Sequence, residues 1–269
     1  MRPAYWRLAL DWAAVQPKRD EAPQWDRRSD GCMRGLPPCA PFAGIRDELR
    51  AVASQQRAGG GFEVVVALSG VPDWAAHAPG GCERAGTRPR SRPLRNDAVP
   101  AYRALVRSLL DVARAEGVEL RWWSPWNEPN HPAFISPQRA HCRVGSTALA
   151  PGVYARLVRA LATELDAAPG DQRIVLGDLA GLVRPRRYGA GVAEFVRELP
   201  SDVVCAGPVW AQHAYAGGGE GGPGAVDELE RALASRGGCA ARARIWVTET
   251  GSGAPHAGRA RSRGDEQLR

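Results

Sequence analysis

Two glutamates in this chain stand where an apolar run gives way to a loop. The stretch Val118 to Trp126 leads through Asn127 into Glu128 and Pro129, and Ile245-Trp246-Val247-Thr248 leads into Glu249. A strand fixes the direction of a carboxylate at its end, and the loop beyond opens onto substrate. Two such carboxylates can divide a displacement between them, one moving protons and the other attacking, which is the pairing that retaining glycoside hydrolysis requires. They are 249 − 128 = 121 residues apart, room for three βα units somewhat longer than the ~30-residue minimum.

The elements that must position them alternate along the chain. Strands are expected at Tyr5–Leu10, Phe62–Leu68, Val118–Trp126, Arg173–Gly177, Val209–Tyr215 and Ile245–Thr250. Helical spacing covers Gly44–Gln56, Val99–Glu116, Tyr154–Ala167, Val192–Leu199 and Ala225–Ser235. This alternation predicts an α/β fold with a parallel sheet. The length of 269 residues suits one large domain. No linker or repeat beyond the βα unit divides it. We expect a catalytic domain over residues 1–253 and a charged tail over 254–269.

The Trp126-Asn127-Glu128-Pro129 string resembles the acid/base motif that ends barrel strand 4 in the clan A glycoside hydrolases, whose nucleophile glutamate ends strand 7. Within the clan the chain looks most like family thirty-nine and its bacterial relatives. The resemblance implies a (β/α)8 TIM barrel and a retaining O-glycoside hydrolase, with Glu128 as acid/base and Glu249 as nucleophile. Numbered from these two glutamates, strands 2–7 are present, and strands 1 and 8 are not evident. On that count the barrel is incomplete, with exposed edges at Tyr5–Leu10 and Ile245–Thr250, so the chain alone is expected to be poorly soluble and nearly inactive. The resemblance also assigns Asn127 to the sugar 2-hydroxyl, His213 and Tyr215 (in Gln212-His213-Ala214-Tyr215) to the subsite and the nucleophile, and Arg7 to orienting the nucleophile. Trp12, Trp74 and Trp126 lie near strand ends, where an aromatic face could stack on a sugar ring or simply pack in the core.

Composition narrows the alternatives. Hydrophobic content of 44% with 24% charged residues is that of a folded domain. The net charge of +7 is nearly all arginine, Lys18 being the single lysine, and apart from local groups at Arg88–Arg95 and Arg259–Arg263 the arginines are scattered, with no recognition motif. A nucleic-acid partner is therefore not expected, and no apolar run is long enough for a membrane span. Nucleophile-elbow, zinc-protease, Walker and Rossmann signatures are missing, and His131, His141 and Cys142 form no familiar ligand set, so neither metal nor cofactor is implied. The six cysteines (32, 39, 82, 142, 205, 239) include no Cys-x-x-Cys pair and lie mostly in Gly/Pro-rich loops. That usage fits disulfides in an oxidising, extracytoplasmic compartment, although no signal peptide is visible. Fifteen pairings are open, Cys32 with Cys39 being the most local. A carbohydrate substrate follows from the hydrolase reading. The competing reading is an inactive barrel remnant that at most binds glycans.

Overall fold

The computed structural model describes residues 4–27, 29–30, 41–42, 44–215 and 223–251. Strand β1 (Tyr5–Asp11) runs into the short helix α1 (Trp12–Val15), and a small antiparallel pair follows, β2 (Ser29–Asp30) with β3 (Pro41–Phe42). Then come α2 (Ile45–Arg57), β4 (Glu63–Ser69), α3 (Val99–Ala115), β5 (Trp122–Ser124), α4 (Ala150–Ala167) and β6 (Arg173–Leu179). The chain continues through α5 (Val192–Glu198), α6 (Ser201–Val204), β7 (Val209–Tyr215), α7 (Pro223–Arg236) and β8 (Arg244–Gly251). Six strands pair in parallel in the order β1-β4-β5-β6-β7-β8. The result is a partial (β/α) barrel, with β1 and β8 at its two edges. The expected tail and the Cys32/Cys39 pairing lie outside the described residues.

Sequence explains the two faces of this sheet. Val64, Val66 and Leu68 of β4 join Leu8, Leu10, Ile174, Leu176 and Trp210 in the core beneath the helices. The alternate positions, Val65, Trp122, Val175, Val209 and Ala211, form a second cluster on the inner face with Trp246 packed on it. Strands covered on both faces read as near-continuous apolar runs, which is why β4 and β6 were legible. In α2, Ile45, Leu49, Val52 and Ala53 make the buried stripe, with Asp47 and Glu48 in the first turn and Arg57 in the last. Those charges complement the helix dipole. Each fully buried aliphatic side chain in such a stripe contributes about 1.5–3 kcal/mol.

Strand β5 corrects one expectation. Only Trp122–Ser124 pairs, not the whole of Val118–Trp126. Val118 and Leu120 are buried without ladder partners, and Pro125 has no N–H to continue the ladder. The chain therefore leaves the sheet early, and 125–149 becomes a long braced loop. Arg139 is its anchor. Fully buried, it donates Nε–H to Arg186 O (2.9 Å), Nη1–H to Ser146 O (3.1 Å) and Glu194 Oε1 (2.6 Å), and Nη2–H to Gly189 O and Glu194 Oε2. Asn130 adds bonds from its amide nitrogen to Ala180 O (3.0 Å) and Ala190 O (3.3 Å), and its Oδ1 accepts from Ala180 N (2.8 Å). Two disulfides tie further loops, Cys82–Cys142 and Cys205–Cys239.

Replacing Arg139 by Leu should strand the buried Glu194 carboxylate. The expected cost is about 3–5 kcal/mol, a fall in Tm of roughly 10 °C. Recovery of part of that loss in the Arg139→Leu/Glu194→Leu double variant, read by thermal unfolding, would confirm the cause. Wild-type stability in the single variant would show that the brace is not needed.

Candidate active site

The sequence-derived residues Arg7, Asn127, Glu128, His213, Tyr215 and Glu249 meet at the C-terminal end of the sheet, through contacts that cross the barrel interior. Glu128 follows the loop turn after β5. Its backbone has φ of 40°, a left-handed conformation that costs a glutamate about 1–3 kcal/mol. Its N–H donates to Asp178 O at 2.9 Å, and its own carbonyl accepts from His131 N at 2.9 Å. Asn127 N donates to Leu68 O at 2.7 Å, fixing the preceding residue to the end of β4. Glu249 projects from β8, whose register against β7 shifts between Gln212 and His213.

Cations bridge these carboxylates. Arg7 on β1 donates from Nη1 to Glu249 Oε1 at 2.6 Å, and from Nη2 to Asn127 Oδ1 at 2.7 Å and Asp178 Oδ2 at 2.8 Å. Burial alone would lower the Arg7 pKa, but Asp178 and Glu249 outweigh it and raise it. His213 lies fully buried between three carboxylates. Its Nδ1 is 2.8 Å from Glu128 Oε1 and 3.4 Å from Glu249 Oε2, and its Nε2 is 3.0 Å from Asp178 Oδ1. Burial would depress the imidazole, yet hydrogen bonds to Asp178 and Glu128 and the charges of Asp178 and Glu249 raise it to about 9. Tyr215 donates its hydroxyl to Glu249 Oε2 at 2.7 Å, and burial followed by Glu249 pushes its pKa up, so the phenol keeps its proton.

Asp178 is the member that sequence reasoning missed. It has φ of 53°, directly after Gly177 at φ of 81°, where β6 bulges against β7. A Cβ at Gly177 would stand 2.8 Å from Ala211 O, so the bulge requires glycine. The buried Asp178 carboxylate accepts from Arg7, from His213 and from the Thr248 hydroxyl at 2.6 Å. Burial would raise its pKa, but the His213 bond, the Arg7 charge and Thr248 hold it well below the usual carboxylate range. The signal was present, since a carboxylate inside the apolar run Ile174 to Leu179 must find partners.

The tryptophans divide differently from expectation. Trp12 and Trp126 are sealed in the core (0% and 1% exposed), with their indole N–H groups on Gln16 Oε1 (2.8 Å) and Phe134 O (2.9 Å). Neither offers a face to a sugar, because packing under the helices takes both faces. Trp74 packs edge-on against Trp12, with centroids 5.6 Å apart, and donates to Gln16 O at 3.1 Å. It is a half-buried core neighbour and does not join the glutamates. Trp246 lies on the inner face against Tyr5 (4.7 Å) and Trp122 (4.9 Å), in the barrel interior.

Glu128 and Glu249 remain 17% and 27% exposed, so solvent or a ligand reaches both. Glu128, His213 and Glu249 each present an atom within 4.8 Å of the others. A divalent ion would fit that spacing only if His213 gave up its Nδ1 proton, which the surrounding carboxylates oppose. With cations between them, the two glutamates are better suited to proton transfer and nucleophilic attack than to metal binding.

Comparison with known proteins agrees with this fold. No family model matches the sequence, and no curated protein matches it. Among solved structures, the catalytic domain of a family 53 glycoside hydrolase from Ignisphaera aggregans superposes with a TM-score of 0.53 at 17% identity, over 98% of this chain and 62% of that one. An endo-β1,6-glucanase gives 0.56 at 16% identity, over 95% and 50%. A conserved exported protein from Bacteroides fragilis gives 0.58 at 15%, over 96% and 53%. The fold is one that glycoside hydrolases use. The chain spans between 50% and 62% of the length of these three structures. The likeness does not reach down to a family, thirty-nine included.

Asp178→Asn keeps the shape and removes the charge that Arg7 and His213 share. Stability at pH 7, measured by urea unfolding, should fall by about 3 kcal/mol, the scale for breaking a buried charge network. A change within ±0.5 kcal/mol, the range of an ordinary surface substitution, would show that the carboxylate does not carry these two cations.

Proposed function

We propose that the chain is the catalytic core of a retaining O-glycoside hydrolase acting on an oligo- or polysaccharide by double displacement. One observation carries this reading: Glu128 and Glu249 approach with carboxylate oxygens inside 4.8 Å, yet their surroundings are unlike. Retaining enzymes hold their carboxyl groups about 5–5.5 Å apart, and inverting ones about 6.5–9.5 Å. Glu249 accepts from a guanidinium and a phenol, partners that fix its direction as a nucleophile. Glu128 faces His213 Nδ1, a group able to share a proton with it.

The chemistry follows from those roles. Glu249 attacks the anomeric carbon as Glu128 gives a proton to the departing glycosidic oxygen, leaving a glycosyl ester on Glu249. Glu128, now a carboxylate, takes a proton from water as the water oxygen attacks the same carbon and releases Glu249. His213 Nδ1, 2.8 Å from Glu128 Oε1, holds the Glu128 carboxyl in one orientation through the two steps. Asn127 accepts from Arg7 through Oδ1, leaving its NH2 to donate to the sugar 2-hydroxyl. Such a bond strengthens as the ring approaches an oxocarbenium ion. The two disulfides support an oxidising, extracytoplasmic setting. The likeness to family thirty-nine in particular rests on the motifs alone.

Glu249→Ala should reduce turnover of an aryl glycoside below a thousandth of wild type, with azide restoring it and giving the glycosyl azide of inverted configuration. Glu128→Ala should lose about 10²–10⁴-fold on leaving groups that need a proton and little on activated aryl ones. Equal losses on both substrate types would remove Glu128 from the acid role. Glycan binding without turnover in the wild type would favour the non-catalytic reading.

A further inference from the structure

Beside the glutamates, a cleft of about 440 Å³ opens at the ends of β1 and β4, within the ~300–1,000 Å³ range of small-ligand sites. Asp11, Ser69 and Gly70 form its floor, and Arg84, Arg88 and Arg90 enter its wall from the loop after β4. Its far side is His131, whose N–H donates to the Glu128 carbonyl at 2.9 Å. The cleft thus borders the loop that carries Glu128.

Its charge is lopsided. The one carboxylate in the wall, Asp11, already pairs with Arg90 at 3.1 Å. The nearby Glu83 is taken by Arg92 at 3.2 Å. Among the described residues, Arg84 and Arg88 have no acidic partner. His131 accepts Ala133 N–H at Nδ1 (3.2 Å), which leaves Nε2 as its donor end. Two free guanidiniums and an imidazole N–H are an unusual lining for a neutral sugar, which needs acceptors as much as donors.

The wall is also held in place. Cys82–Cys142 joins the arginine loop to the loop that carries Glu128 and His131. Ser91 Oγ donates to Ala133 O at 2.6 Å, Ser136 N to Ser91 O at 2.6 Å, and Val71 N to Arg90 O at 3.0 Å. The backbone that carries the arginines is thereby held in place, and their exposed guanidiniums are left to make charge-assisted bonds to an anion.

We infer that this cleft is a subsite for an anionic sugar, bound through its carboxylate or sulfate by Arg84 and Arg88, next to the ring cleaved at Glu128 and Glu249. The inference rests on the hydrolase reading for its neighbour, and its test does not depend on turnover. The anion sits against the arginines while the ring lies over Ser69 and Gly70, and the chain continues past His131 to the glutamates.

The test is equilibrium binding by calorimetry at low ionic strength, using one ring in three forms that carry no glycosidic bond to cleave: glucose, glucuronate and glucose 6-sulfate. At least one anionic form should bind about tenfold more tightly than the neutral one, and whichever does so names the anion. Arg84→Gln/Arg88→Gln should remove that advantage and leave neutral binding unchanged. Arg57→Gln/Arg156→Gln, with the same charge change on exposed helix positions, should keep it. Equal affinity for all three forms would overturn the inference, as would equal losses in the two double variants, which would mark general attraction to a cationic protein. Because no hydrolysis is scored, failure of Glu128 and Glu249 as catalysts would leave the result standing.

Discussion

The carboxylate of Asp178 is buried in the sheet, and an anion there must be met by cations. Arg7 and His213 meet it, and each has a second end. The other end of Arg7 reaches Glu249 and Asn127, and the other end of His213 reaches Glu128. Neutralising one buried charge therefore sets the positions of two partly exposed ones. The network spans β1, β6, β7 and β8 and the loop after β5, so it also holds the strand ends at a common depth. Beneath it, Trp122, Val65, Val175, Val209 and Ala211 form an apolar inner face with Trp246 packed on it.

The arrangement is strained where it is most exacting. Among the described residues, Glu128 and Asp178 are the non-glycine positions with positive φ, and each such residue costs about 1–3 kcal/mol. They are bonded to each other, Glu128 N to Asp178 O. The surroundings offset the cost by over-determining the loop, through the five donors of Arg139 and the carboxamide of Asn130. These two polar side chains lie in the core yet touch neither glutamate. Their work is to keep the loop in a conformation that it would not choose alone.

Much of this was legible in the sequence, for identifiable reasons. Strands β4, β6 and β7, buried on both faces, announce themselves as apolar runs, and with the edge strands β1 and β8 five of the six were placed within about two residues. Strand β5 was overextended because hydrophobicity reports burial, and Val118 and Leu120 are buried without pairing. The polar residues Arg7, Asn127, Glu128, His213, Tyr215 and Glu249, named from two strand-end carboxylates and from the clan resemblance, lie in one hydrogen-bonded network. The tryptophans were left open, since a large aromatic serves core and sugar equally well, and packing puts Trp12 and Trp126 in the core. Asp178 escaped because its partners lie 171, 35 and 70 residues away. A one-dimensional reading shows that a buried acid needs a cation without showing which one.

The account stands or falls on the charge of His213. If both its nitrogens donate to carboxylates, the ring is an imidazolium at neutral pH, held so by Asp178 and Glu128. Nitrogen-15 NMR of the imidazole across pH 5 to 11 measures this directly, with His213→Gln to assign the signal. The account predicts two protonated ring nitrogens at pH 7 and deprotonation near pH 9. Below about 6.5, the ordinary histidine value, the stabilisation it provides is complete, and it is lost as pH rises through that higher value. A ring that is neutral at pH 7 and titrates at or below about 6.5 would mean that the carboxylates are not organised around a cation, and the proposed positioning of Glu128 would fail with it.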